Sequence, residues 1–354
     1  MQKEHLLVVR FSAIGDILMT VPVVEALAKQ YPHLHITVLS VPYAKTFFEH
    51  LPNNVSFMGA NIKKEYKGIF GLNSLYRRLH GKRFTAVADL HDVLRTKYLR
   101  LKFWLDGIKT AHINKHRKEK KALTARNNKR FKQLNTSFQN YADVLAQVGY
   151  PIKMQLETKY LPYEAPLNTL PEAFVKHFKT AQQHIGIAPF AAHKGKIYPI
   201  EKTEKVIALL AQQIENLQIY LFGGGEQEIK TLETLANKYP HCICVPNKLK
   251  GFSQEMVLIN HLSVMITMDS SNMHLAALAG TKVVSVWGAT HPFAGFMPYN
   301  QSKEQVVQAS LPCRPCSVYG NKPCYRKDFA CMNLISPEMI TNKVKSILAN
   351  SGNK

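Results

Sequence analysis

Two junctions between an apolar segment and a helical pattern, one near each end of the chain, carry side chains suited to chemistry. Residues 6–9 lead into the hexapeptide FSAIGD at 11–16, and residues 264–268 lead into DSSNMH at 269–274. Each junction puts a carboxylate and small residues after a predicted strand and at the start of a helix, where unpaired backbone N–H groups favour anions. Two such junctions predict two nucleotide-binding-like domains that face one cleft.

The carboxylate of the first junction, Asp16, has two interpretations. It follows Gly15, where the backbone can turn sharply and present the carboxylate as a proton acceptor. The other interpretation is that Asp16 caps the helix predicted to begin at Ile17. A capping carboxylate stays ionised, so the two roles can coexist.

Polar residues also follow other predicted strands of the C-terminal half. An ammonium group of Lys194 or Lys196 can neutralise a diphosphate, although either residue also fits an exposed loop. Glu226 follows three glycines, where a carboxylate can accept hydrogen bonds from ribose hydroxyls. Gly288 and Thr290 belong to a loop after the next strand, and small residues there allow a sugar diphosphate to lie against the backbone.

Positive charge is concentrated in one stretch of a chain whose formal net charge is +22. Residues 94–133 contain 14 Lys or Arg against two acidic residues. This density favours an anionic partner, either a phosphorylated glycolipid or an anionic membrane surface. Nucleic acid is disfavoured because no aromatic-glycine motif or zinc-finger spacing accompanies the charge. The other interpretation of residues 115–132 is a solvated, mobile loop.

Arg95 lies at the start of this basic stretch, just after a predicted strand. A guanidinium group recognises a carboxylate or a phosphate through two parallel hydrogen bonds, which suits an acidic acceptor. The alternative is a surface ion pair with Asp92.

Four of the six cysteines lie close together near the C-terminus. Cys313, Cys316, Cys324 and Cys331 have the spacing Cys-x2-Cys-x7-Cys-x6-Cys, which makes a structural zinc or iron–sulfur centre one interpretation. Reduced structural thiols are another, and disulfides are the third, although they are unusual in a cytoplasmic protein.

The elements that must position these residues alternate along the chain. A length of 354 residues with 46% hydrophobic and 20% charged residues suits two folded domains. Strand and helix patterns alternate in both halves, which predicts mostly parallel α/β sheets, and residues 160–171 are the expected linker. No signal peptide is recognisable, and no run reaches the roughly 18 apolar residues of a membrane span. We therefore expect a cytoplasmic protein that at most touches a membrane.

Five segments in this order resemble the glycosyltransferase family that contains the ADP-heptose:lipopolysaccharide heptosyltransferases. They are FSAIGD (11–16), KIYP (196–199), FGGGE (222–226), DSSNMHLA (269–276) and WGATHP (287–292). Tyr198 stands where the family usually has Trp, and Ser271 stands where it usually has Gly.

The resemblance implies the GT-B fold, an α/β architecture of two Rossmann-like domains whose parallel sheets face a central cleft. Residues 1–165 are then expected to bind the acceptor and residues 166–335 the nucleotide sugar. Residues 336–354 are expected to form a C-terminal helix that packs back toward the N-terminal domain.

The resemblance also implies an inverting transfer of heptose from ADP-heptose to a hydroxyl of the lipopolysaccharide inner core. Asp16 would be the base, Ser12, Gly15 and Arg95 would contact the acceptor, and no cofactor would be required because lysines and helix N-termini can stabilise the leaving diphosphate. The expected donor ligands are Lys194, Lys196, Glu226, Asp269, Ser270, Ser271, His274, Gly288 and Thr290.

The expected location is the cytoplasm, with peripheral contact at the cytoplasmic face of the inner membrane. For His274 the alternative is a buried core histidine. For the whole chain, the alternatives are transfer from another nucleotide sugar and a non-catalytic protein that binds anionic ligands.

Overall fold

The computed structural model describes residues 4–154 and 166–351. Residues 160–165 of the expected linker lie outside the described residues. The strands are β1 (His5–Val9), β2 (His35–Ser40), β3 (Val55–Gly59), β4 (Ala86–Asp89), β5 (Lys109–His112), β6 (Gln183–Ala188), β7 (Leu217–Leu221), β8 (Cys242–Cys244), β9 (Val264–Met268), β10 (Val283–Trp287) and β11 (Val306–Gln308). The helices are α1 (Ile14–Gln30), α2 (Gly68–His80), α3 (Leu94–Leu105), α4 (Arg117–Leu123), α5 (Ser137–Gln147), α6 (Glu172–Thr180), α7 (Ile200–Gln213), α8 (Glu226–Lys238), α9 (Gly251–Asn260), α10 (Ser271–Leu278), α11 (Ala330–Asn333) and α12 (Pro337–Ser351).

The first of two compact units is built on strands β1 to β5 and combines residues 1–116 with 135–158. Its sheet has the order β3-β2-β1-β4-β5, and every neighbouring pair is parallel. Leu6, Leu7 and Val8 of β1 are fully buried. A continuous apolar run of this kind is typical of a central parallel strand that is covered on both faces.

The second unit, residues 117–134 and 159–354, is built on strands β6 to β11. Its order is β11-β10-β9-β6-β7-β8, again with parallel pairs throughout. Its core includes Ile185 and Ile187 of β6, Ile266 of β9 and Val284 and Val286 of β10. Two parallel α/β units confirm the fold class that the alternating pattern predicts.

Each sheet has a point where the strand order changes direction. In the first unit it lies between β1 and β4, and in the second it lies between β6 and β9. Crossovers on the two sides of such a point run to opposite faces of the sheet, which leaves an opening at the carboxyl ends of the two strands. The segments that carry Asp16 and Asp269 begin at these openings.

Part of the basic stretch belongs to a different unit from the one expected, since residues 1–165 were expected to form the first domain. Residues 117–134, which include α4, group with the second unit. The Phe131 ring lies 4.9 Å from the His291 ring and 4.8 Å from the Phe293 ring, between centroids, and Leu134 N–H donates to the Phe293 carbonyl at 2.9 Å. These contacts anchor residues 131–134 on the loop after β10, which disfavours the interpretation of a solvated loop.

The C-terminal helix, α12, packs against α7, β9 and β10, all of which belong to its own unit. This packing differs from the expectation that residues 336–354 pack back toward the first unit. Ile340 and Val344 of α12 belong to the core of the second unit, because the helix presents one apolar side to it. In the part of the chain that the structure describes, no helix combines the length and apolar character needed to cross a membrane.

The tight packing of β6 yields a test of the second core. A Cβ atom on Gly186 would lie 2.2 Å from Met265 Sδ and 2.6 Å from Leu262 Cδ1. We expect Gly186→Ala to lower the free energy of unfolding by about 1–3 kcal/mol through overpacking. Urea unfolding measures this change. Gly224→Ala is the matched control, because its Cβ would meet no described atom within 4 Å, and equal stability of the two variants would contradict the prediction.

Candidate functional site

Asp16 lies in the first turn of α1, at the opening beside β1. Its Oδ2 accepts a hydrogen bond from Ala13 N–H at 3.0 Å and forms an ion pair with Arg10 at 2.6 Å. The helix begins at Ile14 with Ala13 as its N-cap, so the expectation that Asp16 caps a helix starting at Ile17 is wrong. Gly15 lies within the same turn and not at a sharp bend. Asp16 holds the helix start from inside, as the acidic member of a capping box does.

Arg10 is the buried partner that fixes this carboxylate, and the sequence alone assigned it no role. It directly follows β1, and its guanidinium donates to the Leu90 carbonyl just after β4. The same group lies 5.7 Å from the centroid of the Tyr141 ring. A guanidinium has five N–H donors in a rigid fork, so one side chain can join the ends of two strands. The sequence feature that indicates this role of Arg10 is a charged residue directly after an apolar strand.

His91 is the second residue at this opening that the sequence left without a role. Its Nε2 shares a hydrogen bond of 3.1 Å with the hydroxyl of Ser12, one of the expected acceptor ligands. Burial lowers the pKa of His91 to about 4, and the positive charge of Arg10 adds to this shift. The imidazole is therefore neutral near pH 7 and can exchange a hydrogen bond with Ser12 without adding charge.

The loop after β4 gives its acidic residues structural partners. Asp89 is buried, accepts from the backbone N–H of His91 at 3.0 Å and pairs with Arg100 at 2.9 Å. Asp92 pairs with Arg100 at 3.4 Å and with Lys97 at 3.7 Å. These pairs differ from the expected alternative, an ion pair between Asp92 and Arg95. Arg95 itself is exposed in the first turn of α3.

In the second unit, Lys196 and Asp269 join the ends of β6 and β9. Lys196 Nζ lies 3.2 Å from Asp269 Oδ2, and the two side chains are 15% and 7% exposed. Lys194, two residues earlier, is exposed. The geometry therefore distinguishes the two lysines, since only the position of Lys196 is fixed by an ion pair across the opening.

The start of α10 provides donors beside this pair. Ser270 is the N-cap and Ser271 the first helical residue, and the Ser270 side chain makes no capping bond to the helix. The Ser270 hydroxyl is buried and has no hydrogen-bond partner among the described residues. A helix N-terminus with unpaired N–H groups and a buried, unpaired hydroxyl is suited to an anion.

The other expected donor ligands differ in exposure. His274 is buried, one turn into α10. Glu226 is exposed in the first turn of α8, and Glu228 instead accepts from Gly224 N–H at 2.9 Å. Gly225 has a positive φ of 86°, which favours glycine at the turn between β7 and α8.

Gly288 and Thr290, in the loop after β10, are packed more closely than expected. A Cβ on Gly288 would lie 2.5 Å from the Gly195 carbonyl oxygen and 2.6 Å from Met332 Cε. Thr290 is fully buried. The lack of a side chain at Gly288 is therefore needed to pack this loop against the loop of Gly195.

Arg314, a residue to which the sequence assigns no role, organises the same loop. It lies between two of the clustered cysteines, is buried, and its pKa is lowered to about 10 by burial. Carbonyl groups compensate the buried charge. The guanidinium donates to the backbone carbonyls of Gly288, Trp287, Thr290 and Ala309 and to the side-chain carbonyl of Gln308.

The four clustered cysteines line one cavity together with Arg314. They are free thiols, so the structure contains no disulfide at Cys313, Cys316, Cys324 or Cys331. Burial raises the pKa of Cys331 to about 11, which keeps this thiol protonated near neutral pH. Across residues 4–154 and 166–351, no group of three or more His, Cys, Asp or Glu is arranged to hold a metal ion. The expectation of a metal at this cluster is therefore not supported, and reduced structural thiols fit the observations.

The hydrogen bonds of Arg314 lead to a stability prediction. Arg314→Met leaves several buried carbonyls without donors, so we expect the free energy of unfolding to fall by at least about 3 kcal/mol. Urea unfolding followed by circular dichroism measures it. Arg326→Met is the matched control, because Arg326 is exposed and pairs only locally with Asp328 at 2.9 Å. An Arg314 variant as stable as the Arg326 variant would show that the loop holds its position without the buried cation.

Comparison with known proteins adds the family. The sequence matches the family model described as glycosyltransferase family 9 (heptosyltransferase) over residues 72–324. A lipooligosaccharide heptosyltransferase 2 of Campylobacter jejuni serotype O:6 is 21% identical over 347 residues, which cover 94% of this chain and 96% of that protein. The protein of the same name from serotype O:2 is 29% identical over 150 residues, which cover 41% and 44%.

Solved structures share the fold. The family 9 glycosyltransferase of Veillonella parvula superposes with a TM-score of 0.73 at 18% identity and covers 99% of this chain and 98% of that chain. The Escherichia coli heptosyltransferase WaaC, solved with ADP, gives a TM-score of 0.67 at 17% identity and covers 97% and 99%. WaaC solved with ADP-2-deoxy-2-fluoro heptose gives 0.66 at 18% identity and the same coverage. The two parallel α/β units are thus those of the GT-B fold, and since the family model spans most of the chain, this protein belongs to glycosyltransferase family 9, the heptosyltransferases.

Proposed function

We propose that this glycosyltransferase moves heptose from ADP-heptose to a hydroxyl of the lipopolysaccharide inner core with inversion at the anomeric carbon, in the cytoplasm. The observation that carries the proposal is the carboxylate of Asp16, held by Arg10 at the opening between β1 and β4. Inversion requires one displacement, in which a base takes the proton of the acceptor hydroxyl while its oxygen attacks the anomeric carbon.

The contacts of Asp16 suit the role of this base. The ion pair with Arg10 and the hydrogen bond from Ala13 both use Oδ2. We therefore assign the acceptor proton to Oδ1. Because Oδ2 is fixed from two directions, the carboxylate needs no reorganisation when the acceptor arrives, which lowers the barrier.

The second unit supplies what the leaving group requires. Breaking the bond to the anomeric carbon builds negative charge on the nucleoside diphosphate. We assign this charge to Lys196, the hydroxyls of Ser270 and Ser271, and the N–H groups at the start of α10, which are fixed donors before the reaction. The ion pair of Lys196 with Asp269 holds the ammonium group at the opening, and protein donors of this kind can stabilise a diphosphate without a cofactor.

Other donor contacts follow by family resemblance. Glu226 is exposed at the first turn of α8, where its carboxylate can accept from ribose hydroxyls. We assign His274, Gly288 and Thr290 to the wall of the donor pocket, Thr290 through its backbone because its side chain is fully buried. ADP as the leaving nucleotide is supported by WaaC, which was solved with it.

On the acceptor side, we assign contacts to Ser12, Gly15 and Arg95. Ser12 and Arg95 are exposed, and the hydrogen bond between Ser12 and His91 orients the Ser12 hydroxyl. An exposed guanidinium suits the carboxylate and phosphate groups of an anionic glycolipid. The Campylobacter relatives are named for lipooligosaccharide, which supports an acceptor of this class.

Nucleotide titration tests the donor. We expect calorimetry with ADP, UDP, GDP and CMP to show selective binding of ADP that does not depend on magnesium. Lys196→Met should weaken ADP binding about 10- to 100-fold, since a charge-assisted contact is worth about 1.5–3 kcal/mol. Lys194→Met is the matched control, with little expected change because Asp269 holds Lys196, and not Lys194, at the opening. Preference for another nucleotide would replace the donor, and binding of none would favour a non-catalytic protein.

Removing the base tests the chemistry. We expect Asp16→Asn to lower turnover of ADP-heptose by about 10²- to 10⁴-fold, while ADP affinity stays the same because the donor ligands that we assign all belong to the second unit. Asp143→Asn is the control, since Asp143 bonds Gln139 within α5 at 2.8 Å. NMR of the product reports the anomeric configuration. Wild-type turnover in Asp16→Asn, or a product with retained configuration, would contradict this mechanism.

A further inference from the structure

Helix α3 has apolar side chains on two opposite sides. Thr96, Leu99 and Phe103 are buried against the first unit. Leu94, Leu101 and Leu105, spaced by seven and four residues, share the opposite side of the helix and are all exposed. Trp104 extends this outer stripe and is 62% exposed. A surface helix normally carries polar residues on its outer side, so a second apolar stripe calls for a partner.

The first turn of the neighbouring helix α2 adds further exposed apolar side chains. Tyr98 donates to Asn73 Oδ1 at 3.4 Å, and the rings of Tyr76 and Phe103 lie 5.4 Å apart between centroids. Later residues of α2 contact later residues of α3, so the two helices are parallel neighbours. Their first turns therefore lie side by side. Exposed residues Ile69 and Phe70, the latter 89% exposed, lie in that first turn of α2.

The charge around these residues has a single sign on α3. The helix contains Arg95, Lys97, Arg100 and Lys102 and no acidic residue. Lys97 and Arg100 form ion pairs with carboxylates at the end of β4 and in the loop after it, so Arg95 and Lys102 supply the net positive charge of the helix. The segment before α2 adds the exposed residues Lys63, Lys64 and Lys67 against one carboxylate, that of Glu65. Basic residues next to exposed Trp, Phe and Leu side chains are the composition of surfaces that lie at the interface of an anionic bilayer.

We propose that this surface, the α2–α3 face (Ile69, Phe70, Leu94, Leu101, Trp104 and Leu105 with the neighbouring lysines and arginines), docks the protein on an anionic lipid bilayer. The apolar side chains enter the headgroup region, and the exposed residues Lys63, Lys64, Lys67 and Arg95 bond lipid phosphates. Pairing with a second copy is disfavoured, because a symmetric contact would bring positive charge against positive charge.

The position of the face gives this docking a purpose that rests on the proposed function. Leu94 and Arg95 open α3 directly after β4, at the same edge of the sheet as Asp16. A glycolipid acceptor is anchored in the bilayer by its acyl chains. Docking the α2–α3 face therefore brings the acceptor sugars to the edge that carries the proposed base, and it raises the local concentration of the acceptor.

Vesicle sedimentation tests the docking without any turnover. We expect the protein to sediment with phosphatidylglycerol vesicles at low salt at least about tenfold more strongly than with phosphatidylcholine vesicles, and the binding to weaken as salt increases. The double variant Leu101→Ser/Trp104→Ser should lower binding about tenfold or more, since both side chains are exposed and contribute apolar insertion. Leu334→Ser is the matched control, because Leu334 is 61% exposed in the second unit.

Activity separates failure of the docking from failure of the transferase assignment. The double variant should act as the wild type on a soluble acceptor fragment and lose activity on an acceptor embedded in vesicles. The docking would be overturned if the double variant bound vesicles as strongly as the wild type. It would also be overturned if analytical ultracentrifugation showed a dimer of the wild type that the double variant does not form. If the double variant loses vesicle binding while the wild type turns over no acceptor, the docking stands and the proposed function is refuted.

Discussion

The strand order of each parallel sheet is the constraint on which the candidate site residues of its unit depend. In each unit the strand that comes first in sequence lies between two later strands, so crossovers on its two sides run to opposite faces. The loops after β1 and β4 open at one such point, and those after β6 and β9 open at the other. Asp16 and His91 lie at the first opening, and Lys196 and Asp269 lie at the second. Residues far apart in sequence meet there because the topology leaves these strand ends uncovered.

Two buried arginines then fix the loops at and beside these openings. Arg10 joins the start of α1 to the chain after β4, and Arg314 joins the loop after β10 to the end of β11. Removing a guanidinium from water is unfavourable unless its donors are satisfied, so each arginine requires several oxygens in defined positions. The loops that supply these oxygens are fixed in turn, because moving an oxygen away would leave a buried donor of the arginine without a partner. Fixed loops of this kind supply preorganised donors and acceptors, which is the property that transfer chemistry needs.

The regular elements could be predicted from the sequence because local apolar spacing determines them. The pattern predicts a helix over residues 201–213 and a strand over 218–222, and the structure has α7 at Ile200–Gln213 and β7 at Leu217–Leu221. The start of α1 was harder, because Asp16 has the residue type of an N-cap but acts as the third helical residue of a capping box. The roles of Arg10 and His91 could not be predicted, because they depend on contacts between the ends of two strands. Arg10 follows β1 and bonds Leu90 after β4, and His91 follows β4 and bonds Ser12 after β1. Sequence spacing carries no information on such pairs.

The cysteine cluster shows how a spacing pattern can predict the location of residues without deciding their role. Its residues do come together around one cavity. The cysteine spacing, however, gives no information on the two cations next to these thiols, Arg314 and Lys129. Arg314 donates to carbonyls of the loop after β10, and Lys129 Nζ donates to the carbonyls of Cys313 and Pro315 at 2.9 and 3.0 Å. Lys129 belongs to the basic stretch, which the sequence presents as one patch with one anionic partner. In the structure, this stretch divides: its last part ties the cysteine segment to the loop after β10, while α3 carries its charge on the first unit. The cysteine segment and the residues around Lys129 are therefore best understood as the frame of the loop that contains Gly288 and Thr290, and only the remaining positive charge is available to an anionic partner.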